Sequence, residues 1–206
     1  MKDTLKIIDG WDQITVGQYE ELIEIQKEHP DDSAKYIVEY LYDVEDADKL
    51  PLPEYVAMVA GLKNFIDTPL NKAKLTPTAS YTLNGKLYRV DITPSAFTTG
   101  QYIDLTNYIE KKAKLSDLLS VVVIPDGKAY NDGYDIQEAK RDIECMRAVD
   151  GFAVVGFFGR WSRASIKTFL RSLTSQMKRK VGKEKVQELE KEVATLLRLL
   201  ASYPTF

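Results

Sequence analysis

The stretch Thr15-Val-Gly-Gln-Tyr-Glu-Glu-Leu22 returns as Thr98-Thr-Gly-Gln-Tyr-Ile-Asp-Leu105, 83 positions further along the chain. Thr, Gly, Gln, Tyr and Leu are identical, and an acid stands seventh in both copies. A threonine followed by acids and helically spaced apolar residues reads as a helix start. The hydroxyl can cap free backbone N–H groups, and Glu20, Glu21 and Asp104 fall in early turns, where negative charge complements the helix dipole. Tyr19, Leu22, Ile23 and Gln26 follow at helical spacing, as do Tyr102, Leu105 and Ile109. A Gly-Gln-Tyr core can also mark a ligand loop, but a cap leading into a core tyrosine is the simpler expectation.

Beyond the motif the likeness continues as pattern. The same offset pairs Ser33 with Ser116 and the apolar segment Tyr36–Leu41 with Leu119–Ile124. One added residue then pairs Glu54 with Glu138 and Val59 with Ile143. Each half therefore predicts a motif, an apolar helix, a loop and a further helix, an internally duplicated helical unit.

Between the halves, Ser80-Tyr-Thr-Leu-Asn-Gly-Lys-Leu-Tyr-Arg-Val-Asp-Ile92 places two β-rich runs around Asn84-Gly85, the pair favoured by a two-residue type I′ hairpin turn. Tyr81 and Leu83 should share a face, with Leu87 and Tyr88 on opposite faces of the return strand. A lone hairpin is marginal in water, and Leu5–Ile8 is the candidate third strand.

In the remaining third, Pro125 to Asp135 is dense in turn residues and predicts a loop. Asp126, Asn131, Asp132 and Asp135 do not match the ligand spacing of a calcium loop. Asp135 is the expected N-cap of a helix carrying Ile136, Ala139, Ile143, Met146 and Val149 inward. Gly151 to Phe158 is apolar throughout and expected to be buried, with Gly156 and Gly159 allowing close backbone approach. No Lys-Ser/Thr follows Gly156, so this is not a phosphate loop. Trp161 to Leu173 reads as an amphipathic helix with Ile166, Phe169, Leu170 and Leu173 on its apolar side. Val186, Leu189, Val193, Leu196 and Leu200 then recur at spacings of three and four, the stripe of a helix that docks on another helix.

Composition sets the outer limits. The 206 residues, 44% hydrophobic and 29% charged, suit one full domain or two small ones that share a core, and argue against disordered and fibrous classes. No apolar run approaches the roughly 20 residues of a membrane span, and the first ten residues lack the apolar core of a signal peptide. A single cysteine, Cys145, and a single histidine, His29, exclude a Cys/His zinc site and an internal disulfide. Cys145 is expected to be buried and structural, and His29 to lie in a loop. No cofactor or metal is expected, and no catalytic residue is nominated.

Charge is unevenly spread. Residues 1–60 hold fifteen Asp/Glu against five Lys/Arg, whereas residues 151–183 hold eight Lys/Arg and no acid. Arg160, Arg163, Lys167, Arg171, Lys178, Arg179 and Lys180 form this basic run with Lys183. Three readings stay open, in descending order: a solvated face, a contact between acidic and basic surfaces of successive subunits, and phosphate binding on nucleic acid. The net charge of −3 argues against a dedicated nucleic-acid binder.

Trp11 to Leu22, Phe97 to Leu105 and Ile124-Pro-Asp-Gly-Lys-Ala-Tyr-Asn131 occur in that order and end in Gly156-Phe-Phe158. With these motifs the chain resembles small proteins encoded by tailed bacteriophages of gut Bacteroidota, including crAss-like phages, over residues 5–175. The resemblance implies a non-enzymatic role in virion structure or assembly: a tail-assembly chaperone, a connector or ring subunit near the portal, or a minor virion component. It implies phage structural proteins or further copies of the chain as partners, no membrane, and a location in the host cytoplasm during assembly or in the virion.

The expected architecture is mainly α with a small β-hairpin, an α+β fold. A first helical unit spans 1–75, the hairpin 76–93, a second helical unit 94–160 and amphipathic helices 161–206, together one compact domain. The expected interaction surface is the basic run with the Val186–Leu200 stripe. The competing reading is a nucleic-acid-binding accessory protein using 160–183.

Overall fold

In a computed structural model of the chain, the residues described are 6–66, 75–90, 98–111 and 113–158. Helices α1 (Val16–Glu28), α2 (Ser33–Tyr42) and α3 (Leu52–Ile66) come first. Strands β1 (Ser80–Leu83) and β2 (Lys86–Val90) follow, then α4 (Thr99–Glu110), α5 (Leu115–Val122), β3 (Val123–Pro125) and α6 (Ile136–Glu144). A further helix, α7, occupies residues 148–158. The fold is mostly helical with one small antiparallel sheet, as the α+β expectation has it.

Both copies of the repeated motif start helices, and both do so with the same device. The Thr15 hydroxyl accepts from the Gln18 backbone N–H at 3.1 Å, while the Gln18 side-chain Oε1 accepts from the Thr15 backbone N–H at 2.9 Å. Thr98 and Gln101 repeat this reciprocal pair at 3.2 and 2.9 Å. The identical Thr and Gln are thus the two halves of a capping box. Replacing Thr15 with Ala is expected to cost about 1 kcal/mol in urea unfolding, with Ser restoring most of it. Surroundings differ between the copies: Gly17 lies against Glu144, whereas Gln101 is buried and donates to the Val121 carbonyl at 2.9 Å. A common cap is a local likeness and does not make the two halves copies of one unit. The acids do not serve as expected either, since the first turns of α1 and α4 contain none.

The hairpin forms as read. Asn84 and Gly85 both take positive φ, 47° and 76°, which a type I′ turn requires. Leu83 pairs with Lys86 and Tyr81 with Tyr88. Tyr88 and Val90 are buried while Leu87 is exposed. The third strand is not the N-terminal segment. Arg89 pairs with Ile124 and Val90 with Val123, so β3 completes the order β1-β2-β3. Leu119–Ile124, expected as one helix, is therefore split: α5 passes into β3 with no intervening loop. Four consecutive β-branched residues, Val121 to Ile124, favour this change to extended backbone. Ile7 and Ile8 pack over Gly61 instead, where an added Cβ would lie 2.5 Å from the Ile7 side chain and 2.7 Å from the Ile8 carbonyl oxygen. Leu5 lies outside the described residues.

A second departure concerns the expected helix running to Val149. It breaks at Cys145–Arg147, because that backbone pairs with the segment preceding α1. The Val16 N–H donates to the Met146 carbonyl at 2.7 Å, and the Ala148 N–H to the Ile14 carbonyl at 2.8 Å. Each bond satisfies an N–H that opens a helix and has no partner within it. α1 and α7 thus begin from one shared bridge. Gly151 sits one turn into α7, where a Cβ would come within 2.9 Å of Val16 and 3.0 Å of Leu119. Gly151 is thus a point of close approach in this run; Gly159 lies outside the described residues.

One buried cluster includes Ile14, Val16, Phe65, Tyr88, Leu119, Ile143 and Val154. Beside it Trp11 meets Phe65, Tyr19 and Phe152 edge-on, with centroids 4.9, 5.8 and 6.1 Å away. These contacts join α1, α3 and α7 in the geometry that aromatic quadrupoles favour. Of the Gly151–Phe158 run, Gly151, Ala153, Val154 and Phe158 are buried and the others half-buried. Among the described residues, no helix is long and apolar enough to cross a membrane.

Candidate functional site

The residues nominated from sequence, Arg160, Arg163, Lys167, Arg171, Lys178, Arg179, Lys180, Val186, Leu189, Val193, Leu196 and Leu200, all lie outside the described residues. So do the Trp161–Leu173 helix and Lys183. Within the described residues, two buried carboxylates and one exposed helix face stand out.

The first carboxylate is Asp142 on α6, 5% exposed. Its Oδ1 accepts from Asn84 Nδ2 at 2.9 Å, and its Oδ2 accepts from the Tyr88 hydroxyl at 2.6 Å and from Lys86 Nζ at 2.9 Å. Lys86 also reaches Glu138, one turn earlier on α6, at 2.6 Å. Asn84, Lys86 and Tyr88 alternate along the hairpin and so share a face. Burial by itself would raise the Asp142 carboxyl. The Tyr88, Asn84 and Lys86 bonds outweigh it and hold the group below the usual aspartate range. Burial, then the bond to Asp142, push the Tyr88 phenol up. The bonds to Glu138 and then Asp142 raise Lys86. A phenol held protonated, an ammonium held charged and a carboxylate held ionised make a clamp between hairpin and helix.

Glu20 is the second, 7% exposed. It stands one turn past the start of its own helix and serves a different one. Its carboxylate accepts from the Ser116 N–H at 2.6 Å and the Ser116 hydroxyl at 3.2 Å, in the first turn of α5. Negative charge there meets the positive end of the α5 dipole. Desolvation nevertheless dominates and raises the Glu20 carboxyl above its ordinary value, against the lowering effect of the Ser116 bonds and Lys114. Asp117 accepts from the Lys114 N–H at 3.1 Å and pairs with Lys140 of α6 at 2.6 Å. Together these groups fix α1, α5 and α6 to one another.

The acid-rich loop is built by its backbone. Gly127, Asn131 and Gly133 take positive φ, and the Asp126 N–H donates to the Leu87 carbonyl at 2.8 Å. Asp135 caps α6 by accepting from the Gln137 and Glu138 N–H groups, as its place before the helix predicts. The Tyr130 hydroxyl donates to Asp104 at 2.8 Å, which gives Asp104 a role in holding the loop to α4. Cys145, expected to be buried, is exposed at the end of α6, because the chain turns there toward the bridge with Thr15. His29 ends α1 and stacks on Tyr36 at 3.7 Å.

The exposed face belongs to α3. Met58, Leu62 and Phe65 point into the core, while Leu52, Pro53, Val56, Ala57 and Ala60 are exposed along the other side. Leu52 is 72% and Val56 54% exposed. No charged side chain interrupts this apolar arc before Lys63.

Sequence reading missed all three features. Asp142 nevertheless carries a legible signal, because it lies on the same side of α6 as Ala139 and Ile143, where an acid must find donors. Glu20 has no such signal, since its partner lies 96 residues away. Compared with protein-family models, curated proteins and solved structures, the chain matches none of them.

Proposed function

We propose that this chain is a non-enzymatic component of tailed-bacteriophage morphogenesis or of the virion, acting through protein contacts. Its partners in this reading are phage structural proteins or further copies of itself, and it works in the host cytoplasm during assembly or stays in the virion. The observation that carries the reading is the outer face of α3: a continuous apolar arc on a helix already anchored by its opposite side. Such a patch suits a protein contact better than a small-molecule site. The buried carboxylates agree with this, because their donors tie secondary-structure elements together. The motif resemblance over residues 5–175 supplies the phage context.

The test is affinity purification of the tagged chain from infected cells, with proteomics of purified virions. Co-purification of portal, connector or tail proteins is expected. Presence in virions at ring-like copy number favours a connector, and absence from virions a chaperone. A chain that is strictly monomeric and captures no phage structural protein overturns the proposal.

One observation favours a second reading, a nucleic-acid-binding accessory protein: the eight Lys/Arg of residues 151–183 come without a single acid. In that case DNA affinity falls steeply with salt, and Ala at Arg163, Lys167 and Arg171 abolishes it. Undetectable or salt-independent binding rejects this second reading.

A further inference from the structure

Asn84 is the first residue of the hairpin turn and Gly85 the second, and both are exposed. An asparagine followed by glycine has an intramolecular reaction open to it. The Gly85 backbone nitrogen, once its proton is lost to base, can attack the Asn84 side-chain carbonyl carbon, and glycine sets no side chain in the way. A Cβ built on Gly85 would meet nothing within 4 Å, so its surroundings are open as well. What sets this turn apart is the use made of the amide that would leave. Asn84 Nδ2 donates to Asp142 Oδ1 at 2.9 Å and lies 3.5 Å from Cys145 Sγ, which holds the side chain against α6.

We propose that Asn84 is a site of spontaneous deamidation, restrained by its bond to Asp142, and that its conversion loosens the hairpin from α6. The Gly85 nitrogen bonds to Asn84 Cγ, its proton passing to water. The Cγ–Nδ2 bond breaks, and the amide nitrogen leaves as ammonia with a proton taken from water, which closes a succinimide ring. One water then opens the ring at either carbonyl and leaves aspartate or isoaspartate at position 84. Water is consumed, ammonia is released and nothing is oxidised. Ring closure must swing Cγ over the Gly85 nitrogen and free Nδ2, and both movements break the Asp142 bond. The products act on the same bond. Aspartate puts an oxygen where Nδ2 stood, so Asp142 loses one of its three side-chain donors and faces a second carboxylate at close range. Isoaspartate lengthens the backbone of a two-residue loop whose length sets the pairing of Leu83 with Lys86. The reaction needs no partner, so it stands apart from the assembly reading.

The experiment is incubation of the purified full chain at mildly alkaline pH, with peptide mapping by mass spectrometry to follow asparagine, aspartate and isoaspartate at position 84. Conversion is expected in the folded chain, slower than in the same chain unfolded by urea. Asp142→Ala should speed the folded reaction roughly tenfold, the factor that one hydrogen bond to a charged group is worth. Glu20→Ala destabilises the protein elsewhere and keeps the Asn84 bond, so it separates local release from global unfolding and should leave the rate near that of the wild type. Should Asp142→Ala fail to fold, Asp142→Asn takes its place, since a neutral acceptor holds the amide more weakly and gives a smaller acceleration in the same direction. The consequence is read from thermal unfolding. Asn84→Asp should be less stable than Asn84→Gly, which removes the donor without adding charge and suits the same turn. No conversion at Asn84, a folded rate indifferent to Asp142, or equal acceleration by Glu20→Ala overturns the restrained site. Equal stability of the Asn84→Asp and Asn84→Gly proteins overturns the like-charge loosening.

Discussion

Asp142→Ala is expected to lower stability by about 3 kcal/mol, the largest effect of any single polar substitution in the described residues. The loss comes mainly from Tyr88. Its hydroxyl is buried and donates to Asp142 at 2.6 Å, so removal of the carboxylate leaves a donor with neither acceptor nor water. Lys86 keeps Glu138 and Asn84 is exposed, so both find replacements readily. Tyr88→Phe in the Asp142→Ala background should therefore cost less than the two single changes added together. Urea unfolding of the four proteins measures this. Additive losses would mean that Asp142 acts without Tyr88 and would refute the clamp.

The clamp also has a pH signature. The folded Asp142 carboxyl sits below its ordinary value, so its contribution is complete above the ordinary aspartate range. That contribution is lost as pH falls through the lowered folded value. Asp142→Asn removes this acid-side dependence, and the wild-type and variant stability curves should converge as pH drops.

Glu20→Ala is expected to cost about 2 kcal/mol, because the Ser116 N–H and hydroxyl lose their acceptor inside the protein. Glu20→Gln keeps an oxygen in place and costs less at neutral pH. Here the sign of the pH dependence is reversed. The folded carboxyl is raised by desolvation, so the folded state takes up a proton at a pH where the unfolded chain does not. The ionised form weakens the fold at neutral pH, and that penalty is relieved as pH falls through the raised folded value toward the ordinary glutamate value. Glu20→Gln should abolish this slope while leaving the lower-pH loss due to Asp142 intact. An unchanged slope in the Gln protein, followed by thermal unfolding against pH, would assign the titration elsewhere.

The elements read correctly from sequence are those whose determinants lie within a few residues. Asn84 and Gly85 make their own turn because both accept positive φ, and Thr15, Thr98 and Asp135 cap the helices that follow them directly. The capping box was present in the repeated motif as Thr-x-x-Gln, and the identity of both residues follows from its reciprocal bonds. The α3 face was legible in part, since Leu52, Val56 and Ala60 recur at spacings of four, but exposure is a property of the packed molecule.

By itself, the sequence determined where helices and the hairpin begin, because caps and turns are local bonds whose partners are covalently near. The tertiary structure alone decided which segments meet. Val123 and Ile124 became a strand because Arg89 and Val90 lay beside them, and the helix ending at Glu144 stopped because Met146 and Ala148 bond to the chain before α1. Cys145 was exposed by that same break. Glu20 left the service of its own helix for Ser116, 96 residues away, and Asp142 found three donors on a hairpin at least 54 residues before it. Buried charge must be satisfied wherever donors converge, and periodicity along one segment carries no record of what another segment brings.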